Sequence, residues 1–245
     1  MKTRRALAGN KAEQVLDLLF PVCCADCGYP GGAFLCAACF RRAARKCADF
    51  PLAGGSGSGS LFYSEVSFSS FLAAGPYQGP LRDMVLRFKH FERRLARPLA
   101  LLMLAAAGND PAYINPDLVT WVPALPGRLK ERGYNPPQVL ARFISRYLGR
   151  PLSGCLAREG RQIDRAGLSG PERWKSTEGA YRARPGAPVK GPVLLVDDVI
   201  TTGATADACA AALLGSGASR VSVLAAAGPG DYRLTPRTVF PGEER

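Results

Sequence analysis

The sequence has little histidine and no long apolar run. Its only histidine, His90, has no identifiable partner, which favours a surface or packing role over general-base catalysis. The longest apolar run, Leu99 to Ala107, is nine residues, whereas a membrane-spanning helix needs roughly 20. The chain also lacks the G-x-x-x-x-G-K-[ST] stretch of nucleotide-driven motors. These absences argue against a transmembrane protein and against a P-loop motor.

The first residues do not form the pattern of an export signal. The start is basic, but Glu13 and Asp17 interrupt any apolar core, and no small-residue cleavage site follows cleanly. We therefore expect a soluble, cytoplasmic protein without membrane insertion.

Acidic residues are outnumbered by basic ones. The chain of 245 residues has 32 Lys and Arg against 20 Asp and Glu, which leaves a formal charge of +12. The excess is mostly arginine, whose planar guanidinium suits phosphate. An anionic partner is one interpretation, and a solvated basic surface from an arginine-rich proteome is the other.

Six of the eight cysteines fall in the first fifty residues. Cys24, Cys27, Cys36 and Cys39 form two C-x2-C pairs separated by eight residues. Each C-x2-C turn lets two thiolates converge on one tetrahedral ion, so this spacing predicts a structural zinc site. A disulfide framework is the alternative, but thiols stay reduced in the expected cytoplasmic location. Cys23 and Cys47 are spare candidates, whereas Cys155 and Cys209 lie in apolar surroundings that favour buried packing.

The remaining pattern alternates strands and helices. After a Gly/Ser-rich spacer, the sequence predicts a helix starting near Pro80 and divided by Pro98, a strand in "LVTWVPALP", and a basic loop. A helix with Asn135 as its N-cap follows, and then strands near "CLARE", "VLLVD" and "RVSVLAAA", with the helix "ATADACAAALLGSG" before the last of them. This order predicts an α/β fold with a parallel sheet. The expected organisation is an N-terminal helix and four-cysteine module in residues 1–50, a linker in 51–60, and one domain in 61–245.

The stretch "VLLVDDVITTGATA", Val193 to Ala206, suggests the ligand site. Asp197 and Asp198 follow a buried parallel strand, at the sheet edge where ligands bind. A loop then leads into a helix, and the backbone N–H groups at such a helix start suit a phosphate. The loop residues are Thr201, Thr202, Gly203, Ala204 and Thr205. A phosphorylated sugar satisfies both features, because its hydroxyls donate to the acids while its phosphate occupies the loop.

This stretch resembles the signature with which type I phosphoribosyltransferases bind phosphoribosyl pyrophosphate (PRPP). The order of blocks along the chain is similar to that of the ComF/GntX family of bacterial proteins, named for competence for DNA uptake and for gluconate utilisation. The blocks are a four-cysteine module, then "LKERGYN", "GLSGPER", "GAY" and the signature. The likeness spans nearly the whole chain. It implies a type I phosphoribosyltransferase-like parallel sheet flanked by helices, plus a small N-terminal zinc-binding module.

The resemblance also implies roles for individual residues. Asp197 and Asp198 would hold the ribose, and Thr201 to Thr205 the 5'-phosphate. The basic segment with Arg128, Lys130 and Arg132 would face the pyrophosphate, aided by a magnesium ion. A polar loop with Arg161, Arg165 and Arg173 would be a mobile lid. Three positions of this sequence differ from residues that are frequent in the family, namely Arg165, Ser176 and Pro136. These differences bear on how the protein would recognise the acceptor.

Two functions follow as hypotheses. The first is a PRPP-binding protein, with or without a transferase activity that releases pyrophosphate. The second is a non-enzymatic protein that binds single-stranded DNA during uptake, in which Phe88, Phe91 and Trp174 stack on bases unless they belong to the core. The sequence does not identify the acceptor or the oligomeric state.

Overall fold

Four parallel strands form the centre of the molecule. The computed structural model describes residues 23–24, 27–29, 35–48, 66–90, 92–159, 177, 179–187 and 189–229. The strands of the main sheet are β1 (Ser70–Ala73), β2 (Leu118–Trp121), β5 (Gly191–Val199) and β6 (Ala218–Ala227). Their order across the sheet is β1-β6-β5-β2, and every neighbouring pair is parallel. The predicted α/β class with a parallel sheet is therefore confirmed.

A second, two-stranded sheet lies beside the first. It consists of β3 (Leu156–Arg158) and β4 (Tyr181–Ala183), which pair antiparallel with Arg158 opposite Tyr181. The sequence predicted a strand at "CLARE" but not its antiparallel partner. Strands β1 and β4 are short, with four and three residues, so neither carries a long period-two pattern that could have been recognised.

Helices cover both faces of the main sheet. The helices are α1 (Ala37–Ala48), α2 (Gly79–His90), α3 (Ala96–Ala107), α4 (Pro111–Ile114), α5 (Pro126–Arg132), α6 (Pro136–Leu148) and α7 (Ala204–Leu214). One apolar cluster joins α2, α3 and α6 to one face of the sheet, and includes Leu194 and Val196 of β5. The other cluster joins α7 to the opposite face, and includes Val193 and Leu195. Alternate residues of β5 therefore face opposite sides.

Two helix boundaries differ from the sequence prediction. Helix α2 ends at His90 and α3 begins at Ala96, directly after a 3-10 turn at Arg93–Leu95. Pro98 therefore lies inside the first turn of α3, where its missing N–H breaks no helical hydrogen bond. The segment predicted as a basic loop is the helix α5. Pro126 occupies its first turn and Gly133, with φ of 70°, ends it in the left-handed conformation, which suits glycine.

The four-cysteine segment packs against the sheet's helices. Cys24, Leu35 and Cys39 are buried in the same apolar cluster as Leu99 and Leu102 of α3, and α1 contacts α3. The predicted N-terminal helix, the linker 51–60 and the tail after residue 229 lie outside the described residues. Among the described residues, no helix has the length and apolar character needed to cross a membrane.

Candidate functional site

The two adjacent acids lie at the carboxyl end of the central strand β5. The strand extends through Asp197 and Asp198 to Val199, so the acids belong to it rather than following it. Asp197 continues the row of Val193 and Leu195 that packs toward α7, whereas Asp198 continues the opposite row. Both side chains nevertheless line one cleft at the sheet edge. Two carboxylates that belong to opposite faces of β5 therefore line the same cleft.

Both acids are buried, and their surroundings differ. Each residue is only 7% exposed. Oδ1 of Asp197 accepts a 2.8 Å hydrogen bond from the backbone N–H of Asp198, whereas Oδ1 of Asp198 lies 3.2 Å from Nζ of Lys89. Burial, and then the negative charge of Asp198, raises the pKa of Asp197 well above its usual range. The two adjacent acids therefore have different electrostatic surroundings.

The predicted phosphate loop forms the turn into α7. Gly203 has φ of 78° and is the N-cap residue of the helix, which begins at Ala204. Thr201 is exposed, Thr202 is partly buried, and Thr205 lines the cleft. Because the start of a helix carries a partial positive charge, the turn places a site favourable to anions beside the acids.

The cleft has a volume of about 250 Å³. Its charged lining residues are Lys89, Arg128, Arg132, Arg158, Asp197 and Asp198. Arg128 and Arg132 thus share the cleft with the acids. Lys130 lies on the same helix, α5, but is exposed and is not among the lining residues. Of the three basic residues of α5 that the sequence suggested, Arg128 and Arg132 therefore line the cleft and Lys130 does not.

Several lining residues were missed in the sequence. Lys89 comes from α2, and Arg158 and Tyr181 come from the β3–β4 pair, where Arg158 Nη1 donates a 2.9 Å hydrogen bond to the hydroxyl of Tyr181. Asn135 was predicted as an N-cap, but its side chain makes no capping bond. Its Nδ2 instead donates to the carbonyl of Val122 at 3.0 Å. No sequence signal links these residues, because only the tertiary fold brings their elements together.

Arg132 and Asn135 each have a polar atom beside the cleft that is buried and makes no hydrogen bond within the part of the chain that the structure describes. These atoms are Nε of Arg132, a donor, and Oδ1 of Asn135, an acceptor. Asn135 is only 6% exposed, and a buried polar atom without a partner carries a desolvation cost. Both residues line the cleft, which is consistent with a ligand supplying the missing bonds.

The four predicted cysteines form one cluster. The sulfur atoms of Cys24, Cys27, Cys36 and Cys39 all lie within 4.8 Å of one another, and those of Cys27 and Cys36 are 3.8 Å apart. A tetrahedral ion with metal–sulfur bonds of about 2.3 Å requires sulfur separations of about 3.8 Å. The backbone N–H of Cys36 also donates to the sulfur of Cys24 at 3.3 Å. These residues therefore fit a tetrahedral ion such as zinc.

Other candidate residues from the sequence are placed as follows. Cys155 and Cys209 are buried, and burial raises the pKa of both thiols, which agrees with a packing role. His90 is exposed at the end of α2. Phe88 is fully buried, so of the two alternatives left open for it, stacking on bases and packing in the core, the structure shows the second. The possible lid residues Arg161, Arg165 and Arg173, together with Phe91 and Trp174, lie outside the described residues.

Comparison with known proteins identifies the family. No protein-family model matches the sequence. Competence protein F of Haemophilus influenzae, however, is 30% identical over 189 residues, which cover 70% of this chain and 80% of that protein. The chain belongs to the ComF family. DNA utilization protein YhgH of Salmonella typhi is 29% identical over 199 residues, which cover 77% of this chain and 86% of that protein.

A further relative and one solved structure extend the comparison. DNA utilization protein YhgH of Escherichia coli K12 is 32% identical over 155 residues, which cover 60% of this ComF-family chain and 66% of that protein. Orotate phosphoribosyltransferase from Aeropyrum pernix superposes with a TM-score of 0.34 at 16% identity, covering 56% of this chain and 72% of that chain.

Proposed function

We propose that this ComF-family protein binds PRPP in the cleft at the end of β5. The observation that carries the proposal is the meeting of three features in one cleft: the acids Asp197 and Asp198, the arginines Arg128 and Arg132, and Thr205 at the start of α7. A ribose hydroxyl donates to carboxylates, a 5'-phosphate prefers a helix start, and arginines bind pyrophosphate. PRPP carries all three groups.

We propose further that the cleft supports transfer of the phosphoribosyl group. The bond between C1 of the ribose and the pyrophosphate oxygen breaks with its electron pair leaving on pyrophosphate, and a new bond forms from C1 to the acceptor. Positive charge then develops on the sugar beside Asp197 and Asp198, and negative charge develops on the leaving group beside Arg128 and Arg132. Such a site acts by positioning and electrostatic stabilisation. A magnesium ion, when bound to the pyrophosphate, would add to the neutralisation of the leaving group.

The PRPP proposal is tested by thermal unfolding with PRPP and magnesium. A ligand at about 100 times its Kd adds about 2.7 kcal/mol to the free energy of unfolding, which raises Tm by about 5–10 °C in a chain of this size. The double variant Asp197→Ala, Asp198→Ala should lose the shift. The exposed Asp83→Ala serves as the matched control and should keep it. An equal shift in the double variant would reject this site.

For the four-cysteine cluster we propose zinc as the resident ion. A closed set of four thiolates leaves no open coordination position, so the ion would act as a structural element rather than a catalyst. Arg42 Nη2 donates to the sulfur of Cys39 at 3.2 Å and would offset part of the excess negative charge of four thiolates around a divalent ion.

Single-stranded DNA is a second candidate ligand, because of the exposed face of α6. Arg142, Phe143, Arg146 and Tyr147 are all exposed there, with Tyr147 at 69%. The helix "PPQVLARFISRYL" contains no acid. Alternating arginines and aromatic rings, four residues apart, can contact phosphates and stack on bases. The names of the relatives refer to DNA utilization and competence, which agrees with this candidate.

The DNA candidate is tested by titrating a fluorescent oligothymidine over a series of salt concentrations. Binding through arginine contacts to phosphates releases counterions, so the affinity should fall steeply as salt rises. An affinity that does not change with salt would contradict binding through this basic face.

A further inference from the structure

Lys89 forms an ion pair with one of the two acids in the cleft. Its side chain is 19% exposed, that of Asp198 is 11% exposed, and the Nζ to Oδ1 distance is 3.2 Å. Both residues line the cleft. At this distance and degree of burial, the interaction is screened by solvent far less than a surface ion pair.

The fold positions Lys89 firmly. Leu81, Met84, Val85 and Phe88 bury one side of α2, and the hydroxyl of Tyr134 donates a hydrogen bond to the carbonyl of Phe88 beside Lys89. The neighbouring Arg87 is held by Glu92, with Nη2 to Oε1 at 2.6 Å. The last turn of a helix also favours a positive charge. Lys89 is therefore directed to the cleft while the other cation of this turn is paired elsewhere.

A nearby cation stabilises the ionised carboxylate pair even without a ligand. Two adjacent buried acids repel each other, and a phosphate entering the cleft adds further negative charge. A divalent ion is one solution, since magnesium binds carboxylate oxygens. Lys89 is another, because its ammonium has three N–H donors, so it can bond Asp198 and still donate to a ligand oxygen.

We propose that Lys89 is the permanent counter-cation of Asp198. Its ammonium group takes the position where a divalent ion would otherwise contact that carboxylate. The two acids can therefore bind ribose without a divalent ion. This inference rests on the phosphoribose site proposed above. It limits the role of magnesium to the pyrophosphate group of PRPP. A ligand that has the ribose and 5'-phosphate but no pyrophosphate should then bind equally well with and without magnesium.

Ribose 5-phosphate is the probe that separates these possibilities, because it cannot chelate magnesium through a pyrophosphate. Its affinity is measured by calorimetry, once with magnesium chloride and once with EDTA. The wild-type protein should give the same Kd in both. Lys89→Gln should bind about tenfold more weakly in EDTA, the loss expected for one charge-assisted hydrogen bond, and magnesium should restore part of the affinity.

Two further variants make the comparison specific. Lys89→Arg keeps the positive charge and should bind ribose 5-phosphate without magnesium, as the wild type does. Lys190→Gln is the matched control, because Lys190 is exposed and precedes Gly191 at the opposite end of β5 from the acids. It should bind as the wild type does under both conditions.

The outcomes distinguish this inference from the proposed function. If the wild type binds ribose 5-phosphate only with magnesium, or if folded Lys89→Gln binds as tightly as wild type in EDTA, the inference about Lys89 is wrong. If the wild type binds neither ribose 5-phosphate nor PRPP under any of these conditions, the proposed function fails. If Lys89→Gln does not fold, the affinity of the wild type for ribose 5-phosphate with and without magnesium still tests the inference about Lys89.

Discussion

The backbone N–H of Asp198 donates a 2.8 Å hydrogen bond to Oδ1 of Asp197. Asp197 is thus anchored by the backbone of its neighbour, whereas the carboxylate of Asp198 is paired with Lys89. Two acids that are adjacent in the sequence consequently have different partners and face opposite sides of one strand. The different surroundings lead to different expectations for substitutions at the two positions.

Asp197→Asn should stabilise the ligand-free protein while weakening its binding of ribose 5-phosphate. The amide keeps an acceptor for the N–H of Asp198 but removes a buried charge. The pKa of Asp197 is raised in the folded protein, so ionised Asp197 costs stability as pH rises from its unfolded pKa through its folded one. We expect a gain of about 1 kcal/mol or more near pH 8, about 2–4 °C in Tm, and a smaller gain near pH 4.

Thermal unfolding at both pH values measures this effect. Asp83→Asn is the control, because its side chain is 65% exposed, and it should change little. A variant at Asp197 that is less stable than wild type near pH 8 would show that the carboxylate is stabilising and that the cause assigned to its pKa is wrong.

Gly203→Ala should lower stability and weaken phosphate binding. With φ of 78°, Gly203 adopts the left-handed conformation, which costs a residue with a Cβ about 1–2 kcal/mol. Gly215→Ala is the comparison, because Gly215 at the other end of α7 has φ of −62° and needs no such conformation. Urea unfolding and titration with ribose 5-phosphate give the two quantities. Equal losses at the two glycines would contradict a special role for the turn at Gly203.

Cys39→Ser should abolish metal binding, whereas Cys23→Ser should leave it intact. Cys39 is in the cluster of four sulfurs and Cys23 is not. Elemental analysis of protein purified without added metal should find about one zinc ion per wild-type chain. The same zinc content in both variants, or none in the wild type, would refute the assignment of the four ligands.

The double variant Arg142→Gln, Arg146→Gln should bind oligothymidine more weakly and with a smaller salt dependence. On a single strand, each arginine that contacts a phosphate contributes about 0.7 to the slope of log affinity against log salt, so the magnitude of the slope should fall by about 1.4. Tyr147→Ala should weaken binding with the slope unchanged, because stacking does not release counterions.

The matched control carries the same change in charge elsewhere. Lys190 and Arg220 are exposed at the starts of β5 and β6, so Lys190→Gln, Arg220→Gln should leave the slope as in the wild type. If both double variants lower the slope equally, overall charge rather than the face of α6 determines binding.

Local signals in the sequence were sufficient for much of the fold. Pro136 and Gly149 bound α6 as predicted, because proline fits a first helical turn and Gly149 adopts the left-handed conformation after the last one. The strand "VLLVD" and the helix after Gly203 were also predicted correctly. These elements are encoded by residues within a few positions of one another.

The parts that the sequence missed depend on contacts between distant segments. Lys89 reaches Asp198 across 109 positions of the chain only because the fold brings the end of α2 to the carboxyl end of β5, and no motif around Lys89 signals this. Asn135 was predicted to cap α6, yet its amide bonds the carbonyl of Val122 after β2. The local sequence correctly indicated that a helix begins at Asn135, whereas the tertiary fold determined which hydrogen bond its side chain makes.

The burial of Cys24 and Cys39 in the same apolar cluster as α3 has a consequence for the whole molecule. Helix α3 contacts the cysteine segment, α6 and the sheet, so its leucines are shielded on several sides at once. If chelation released the ion and loosened the cysteine segment, that shielding would be lost and apolar surface would meet water. Calorimetry should then record one melting transition moving to lower temperature, rather than the early melting of a separate small unit.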